Sequence, residues 1–418
     1  MAIQADKVVA SIITIGDELL IGQTIDTNSA WMAQQLNAMG IWVHRRVAIG
    51  DVREAILEAL DKEGAVSDIV LITGGLGPTA DDITKPVLCE YFGGKLVRDE
   101  ATYLQVMEFF ESRGLPTLQR NVDQALVPDV ATVLHNTRGT APGMWFEKEG
   151  KIYVSMPGVP HEMKGLMSDY VLPRLQEYFQ TPAIVHQTLL TSGMGESFIA
   201  ERLTHFEASL PPHIKLAYLP SYGLLKLRLT AFGTDKLSTA AALSIYFHQL
   251  KELLADITVA DEDLPIAEVL GKLLKEKGKT VGTAESCTGG FIAHNITLVP
   301  GSSAWYKGSI VSYANEIKSG LLGVKQETLQ ANGAVSEAVV REMAREALQQ
   351  LKTDYIIAVS GIMGPDGGTP EKPVGTVWIA AGSAKEIVTV KHQLRYDRLN
   401  NIQMTAAYAM NELRKLIV

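Results

Sequence analysis

Thr283-Ala284-Glu285-Ser286-Cys287-Thr288-Gly289-Gly290 joins two short patterns of different period. Before it, Lys279-Thr280-Val281-Gly282 reads as a strand; after it, Phe291-Ile292-Ala293-His294 reads as a helix. A strand-to-helix turn with a small hydroxyl residue and two glycines suits a nucleophile or a phosphate. Helix-start N–H groups point at such a turn, and the helix dipole favours negative charge there. The same spacing also suits a plain N-cap serine on a buried βα unit.

The pattern recurs toward the N-terminus. Val8 to Ile15 is a β-branched run of the kind covered on both faces, and it ends in Gly16-Asp17-Glu18. Asp26-Thr27-Asn28 offers caps to an amphipathic segment bearing Trp31, Met32, Leu36 and Met39, which Gly40 stops. Asp51 to Leu60 reads as a helix. Asp68 to Thr73 reads as a buried strand running into Gly74-Gly75-Leu76-Gly77-Pro78-Thr79-Ala80-Asp81-Asp82. Strands alternating with helices predict an α/β fold with a mostly parallel, doubly wound sheet whose ligands sit at the carboxyl ends of the strands. Both acidic loops leave such ends. So do the turn clusters Asn136 to Gly143 and Pro157-Gly158-Val159-Pro160, which can wall a pocket as well as make turns.

From 171 to 260 the texture is that of a small α+β domain. Short strands are expected at 188–191, 214–219 and 224–232, and helices at 197–203 and 239–254. No catalytic cluster stands out in it, so a structural or dimerising role is expected. Asp261 to Pro265 reads as a polar linker. The domains are accordingly placed at 1–170, 171–260 and 261–418, the last again α/β, with glycines after its strands at Gly289-Gly290 and Gly361-Ile362-Met363-Gly364.

Composition bounds the function. The 418 residues are 46% hydrophobic and 20% charged, values of a globular protein of more than one domain. A net charge of −9 without a Lys/Arg cluster argues against a phosphate-neutralising nucleic-acid binder. The two cysteines, Cys89 and Cys287, make neither a disulfide framework nor a zinc spacing. Met1 to Asp6 has no signal-peptide pattern and no apolar run is long enough to span a bilayer, so a cytoplasmic protein without a membrane partner is expected.

Two clusters can carry chemistry. Glu18, Asp81 and Asp82 can hold a hard divalent cation over a phosphate, with Gly74, Gly75 and Gly77 letting amides approach the ligand. Thr79-Ala80-Asp81-Asp82 equally resembles a capping box, so the two readings stand side by side. In the last domain Ser286, Tyr313, Lys318 and Ser360 allow a serine–lysine amidohydrolase, in which a lysine of lowered pKa takes the serine proton. Amides near Ser286 or Gly361 would hold the oxyanion. Scattered histidines offer no Ser-His-Asp triad.

The whole chain resembles the competence/damage-inducible CinA proteins. Its first part is similar to MoaB/MogA-like molybdopterin-binding domains through Ile15 to Leu19, Asp26 to Asn28, Gly74 to Thr79 with Asp81-Asp82, and Pro157 to Pro160. Its last part is similar to PncC-type amidohydrolases through Ala284 to Gly290, Tyr313 with Lys318, and Gly368 to Thr376. The resemblance implies hydrolysis of ADP-ribose to AMP and ribose 5-phosphate in the first domain, assisted by Mg, Mn or Co. In the last domain it implies deamidation of nicotinamide mononucleotide to nicotinate mononucleotide and ammonia without a cofactor. It implies a KH-type middle domain and a homodimer; no G-x-x-G loop of the nucleic-acid-binding kind can be placed, so RNA is not expected as a partner. By the same resemblance Ser286 is the nucleophile and Lys318 its base, with Tyr313 and Ser360 as supporting polar groups. Arg398 falls on the phosphate or ribose side. Thr288, Gly289 and Gly361 fall in one binding site, and Gly74, Gly75, Gly77, Thr79, Asn28, Pro157 and Gly158 in the other. Tyr396, Met363 and Asp366 depart from the family pattern, and a Met363 that crowded the pocket would weaken the deamidase. Two other readings are a pterin- or nucleotide-binding first domain without hydrolysis, and a non-catalytic scaffold.

Overall fold

A computed structural model describes residues 8–418 except 80, 180 and 182; Met1 to Asp6, read above for a signal pattern, lie outside the described residues. The chain divides into two compact units, 1–185 with 231–242, and 186–230 with 243–418.

The first unit is built on a six-stranded sheet. Its parallel core is Trp42–Ile49, Val9–Ile15, Ile69–Thr73 and Lys151–Met156, in that order, extended antiparallel by Gly143–Lys148 and Thr132–Leu134. All five residues of Ile69–Thr73 are buried, as a central parallel strand covered by helices requires. Met32 and Leu36 of helix Thr27–Ala38 pack on one face of this sheet; Ile56 and Leu60 of helix Arg53–Val66 pack on the other. The sheet is therefore mostly parallel and doubly wound, as the alternation predicts. Helix Arg53–Val66 begins two residues later and ends six residues later than the 51–60 expectation. Asp51 is left in the loop after strand Trp42–Ile49, where it is free to act as a site residue.

In the second unit a five-stranded sheet runs Tyr306–Val311, Val281–Glu285, Tyr355–Gly361, Thr376–Ser383 and Ile387–Gln393. Its first three strands are parallel and its last two antiparallel. Helix Glu337–Leu351 covers one face with Val340, Met343 and Ala347; the C-terminal helix Arg398–Ile417 covers the other with Ala406, Met410 and Leu413. Ser336 caps the first of these helices by accepting from the Val339 amide, and Asp397 caps the second by accepting from the Asn400 amide. Most of the small α+β segment belongs to this unit. Leu190 and Val259, from its strands Ala183–Ser192 and Thr258–Ala260, join the same apolar core as Ile292 and Met410.

Both parallel sheets end their strands in turns that carry the polar motifs. Because parallel strands share one direction, motifs far apart in sequence reach one edge of each sheet.

Candidate active sites

Lys318 is the centre of the C-terminal site. It is 1% exposed, on the short helix Asn315–Gly320. Its Nζ lies 2.9 Å from Ser286 Oγ, 2.8 Å from the Ser312 carbonyl and 3.1 Å from the Tyr313 carbonyl. Burial drives its pKa below the usual lysine value, and the nearby Cys287 thiol only partly opposes the shift. A neutral amine has two N–H donors and one lone pair. As an ammonium, Nζ donates to all three oxygens; once deprotonated, it would keep its two N–H groups on the carbonyls and turn its lone pair to the Ser286 hydroxyl. The pair therefore suits a general base poised on a nucleophile.

Ser286 itself is 7% exposed and directly follows strand Val281–Glu285; its amide donates to the Val359 carbonyl of the neighbouring strand. The adjacent Cys287 is a different kind of residue. Its thiol lies in the apolar core with Ile292 and Val377, and burial pushes its pKa up to about 12. Of these neighbouring sulfur and oxygen groups, the serine is the one hydrogen-bonded to Lys318.

The turn after Ser286 departs from both readings of the octapeptide. Ser286 is not the N-cap of the next helix: Gly290 is, at φ 98°, without a side-chain cap of its own. The helix-start amides are not open to a phosphate either. The fully buried Glu285 carboxylate accepts from the amides of Gly290, Ile292 and Ala293 at 3.0, 3.0 and 2.8 Å, and from the Thr288 hydroxyl at 2.7 Å. A side chain at the strand's end thus neutralises the dipole of a helix that starts six residues later. Sequence reasoning gave Glu285 no role, because a carboxylate in a strand carries no capping signal of the usual Ser/Thr/Asp spacing. Thr288 is consequently turned inward, whereas Gly289 has open space before its Cα.

Tyr313 is 60% exposed, and its hydroxyl accepts from Arg398 Nη2 at 2.9 Å; Arg398 Nη1 donates to the Gly364 carbonyl at 2.7 Å. Since the Tyr313 carbonyl also binds Lys318, these contacts link Arg398 to the serine–lysine pair. Ser360 is buried and donates to the Ala334 carbonyl, so it ties the strand end to the loop before helix Glu337–Leu351 and makes no hydrogen bond to Ser286. A Cβ at Gly361 would press on Val377, Thr376 and Cys287. Met363 is 3% exposed and packs in the core, and its carbonyl accepts from Asn401; Asp366 is exposed on the turn. Met363 therefore fills core volume.

The N-terminal cluster is looser. Both Asp82 oxygens are engaged by their own loop: Oδ1 accepts from the Gly77 amide at 2.8 Å, and Oδ2 from the Thr79 amide at 2.9 Å and the Thr79 hydroxyl. A Cβ at Gly77 would meet the same carboxylate, and one at Gly74, at φ 110°, would collide with the Ile15 carbonyl. These glycines serve the loop's own packing. Asn28, 9% exposed, donates to Thr73 Oγ1 at 3.2 Å and to the Gly158 carbonyl at 2.7 Å, while Thr73 donates to the Pro157 carbonyl; Asn28 Oδ1 is buried without a partner. Asn28 and Gly158 thus line a small cavity of about 110 Å³ with Glu18, and Pro157 is tied to them through Thr73. A second hollow of about 200 Å³ takes in Gly77, Thr79, Asp82 and two residues the sequence reading did not single out, Lys85 and Arg120. Lys85, 9% exposed, donates to the Gln124 carbonyl, and burial lowers its pKa to about 8.

Asp51 also joins this edge. Its pKa is raised by burial; the Asp17 amide, which it accepts from at 3.2 Å, opposes the shift, and the negative charges of Asp17, Glu18 and Asp81 add to it. Oxygen donors of this kind suit a hard cation. Among the described residues, however, no three acidic, histidine or cysteine side chains are gathered closely enough to hold one. Also among the described residues, no helix is long and apolar enough to cross a membrane.

This pair of α/β domains flanking a KH-like segment defines a class. Residues 11–177 match the family described as a probable molybdopterin binding domain, 186–258 the damage-inducible protein CinA KH domain, and 263–417 the CinA C-terminal domain. A CinA-like protein of Cytophaga hutchinsonii is 46% identical over 406 residues, covering 97% of both chains. One of Flavobacterium psychrophilum is also 46% identical, over 98% of both. The crystal structure of competence/damage inducible protein CihA from Agrobacterium tumefaciens is 37% identical and covers 36% of this chain and 93% of its own, with a TM-score of 0.36. The chain belongs to the CinA family.

Proposed function

We propose that this chain is a two-activity hydrolase of pyridine-nucleotide recycling, with deamidation of nicotinamide mononucleotide as its C-terminal reaction. The observation that carries the reading is the buried Lys318 amine 2.9 Å from Ser286 Oγ. Neutral Lys318 takes the hydroxyl proton as Ser286 Oγ bonds to the amide carbon. The resulting ammonium then protonates the departing nitrogen, so the C–N bond breaks and ammonia leaves. Water, giving a proton to Lys318, cleaves the remaining ester to the nicotinate product and restores the serine. Tyr313 and Arg398, hydrogen-bonded to each other, would orient the substrate's polar side.

For the first domain the proposed reaction is hydrolysis of the pyrophosphate of ADP-ribose to give AMP and ribose 5-phosphate. A divalent cation that drew Glu18, Asp81 and Asp51 together would supply charge neutralisation at the pyrophosphate. Lys85 and Arg120 would position its oxygens, and Asn28 Oδ1 would accept from a ligand donor. A second reading, a pterin- or nucleotide-binding module without hydrolysis, is favoured by the engagement of both Asp82 oxygens within the loop. Location in the cytoplasm and assembly as a homodimer remain part of the proposal.

The test is ammonia release from nicotinamide mononucleotide by purified protein, with Ser286→Ala as control, beside AMP release from ADP-ribose with Mg²⁺, Mn²⁺ or Co²⁺. Ammonia release that vanishes in the variant supports the deamidase. No release from folded wild type overturns it. Pterin binding without AMP release selects the second reading for the first domain.

A further inference from the structure

A large cavity of the second unit includes neither Ser286 nor Lys318 in its lining. It is a cleft of about 840 Å³ in the second unit, between the C-terminal helix and two turns of the small α+β segment. One wall follows the helix at four-residue spacing, Asn400, Met404, Tyr408 and Glu412, so one face of the helix lines it. The facing wall is the turn before helix Glu196–Ser209 and the hairpin turn at Tyr222-Gly223.

Its lining is aromatic and carries no free positive side chain. Tyr222 is 49% and Tyr396 57% exposed at the cleft. Behind them His392 and Tyr408 stack at 4.6 Å with an interplanar angle of 17°. Gly223, at φ 75°, lets the hairpin close on Tyr408, since a Cβ there would sit 2.5 Å from its ring. Lys415 is paired with Glu412 at 2.7 Å. Burial lowers the His392 pKa, so its ring is uncharged at neutral pH. Glu196 stands at the first position of its helix, where an anion would otherwise be drawn. The lining side chains therefore disfavour a phosphate dianion and favour a flat ring that stacks on tyrosine, with extra attraction if the ring is positive.

We propose that this cleft is a binding site, separate from the deamidase centre, for a planar heteroaromatic ligand carrying no net negative charge, of the pyridinium or nucleoside kind. The probes are N-methylnicotinamide chloride, adenosine and AMP, titrated calorimetrically into the full chain in wild-type and variant forms. Saturable binding of N-methylnicotinamide or adenosine is expected, and whichever binds more tightly names the ring. Tyr222→Ala, at an exposed hairpin position, weakens it about two- to tenfold by loss of stacking. Ser221→Trp, which fills the cleft from the same exposed turn, abolishes it, and Arg398→Ala leaves it unchanged. The proposal is overturned by no saturable binding of either ring, by AMP binding more tightly than adenosine, or by binding that survives Ser221→Trp. Loss of binding in Arg398→Ala also overturns it, by placing the ligand at the deamidase centre. The readout is binding and needs no turnover, so it stands or falls apart from the deamidase reading.

Discussion

The two strand-end clusters of this molecule are built on the same kind of sheet and prepared to different degrees. At the C-terminal one, a dry lysine and a serine are already in contact, and the turn behind them is held by a buried carboxylate with four short hydrogen bonds. At the N-terminal one, the acidic groups are spread over three loops; one of them is engaged by its own loop, and another, Asp51, is pushed toward its neutral form. A preassembled acid–base pair needs only substrate. A set of mutually repelling carboxylates needs a counter-charge before it can converge.

The sharpest way to break this contrast is Ser286→Ala. Ammonia release is expected to fall about a thousandfold or more, with AMP release from ADP-ribose unchanged. If both activities fell in a folded protein, the two centres would not be independent. Next in size is Lys318→Met, expected to cost about 10²- to 10⁴-fold in ammonia release. Its pH profile sharpens the point. Burial lowers the lysine pKa, so the neutral base accumulates, and wild-type activity rises, as pH climbs through that lowered value; the variant's residual activity should lack this rise. The linked stability has the same sign: the folded state binds the proton more weakly than the unfolded chain. The resulting penalty is full below the lowered pKa and is relieved as pH rises toward the ordinary lysine value.

Asp82→Ala tests the other cluster. AMP release is expected to fall about 10- to 100-fold as the glycine loop loses its internal acceptor, while ammonia release persists. An unchanged AMP release would assign the chemistry to Asp51 and its neighbours. The smallest effect on chemistry and the largest on folding belongs to Glu285→Ala. Removing the shared acceptor leaves three buried or half-buried amides and the Thr288 hydroxyl unpaired, at about 2–5 kcal/mol by denaturant unfolding. A loss below about 0.5 kcal/mol, the size of an ordinary surface change, would show that the turn is held by other means.

Much of this was legible in the residues. β-branched runs followed by glycine and acidic clusters marked the strand ends of both sheets, because periodicity and turn chemistry are local. The serine and the lysine were legible as a possible pair, but their separation was not: they stand 32 positions apart, and the parallel pairing of the strands that precede them brings them together. Asp51 was read as a helix start, since nothing local says which carboxylate turns toward Glu18 and Asp81. Lys85 was not singled out at all, because its removal from water comes from its packed surroundings.

The sequence by itself determined the α/β class, the order of the domains and the residue types available at each strand end. Short-range pattern suffices for these, because a strand's burial and a turn's backbone demands are written in neighbouring positions. Tertiary structure decided which of those residues meet. It set Lys318 Nζ against Ser286 Oγ while sealing Cys287 in the core, turned Glu285 from a charge in a strand into the cap of a helix, and opened a cleft with three tyrosines beside the last helix. Burial and proximity across long stretches of chain set pKa and partner, and neither quantity exists until the chain is packed.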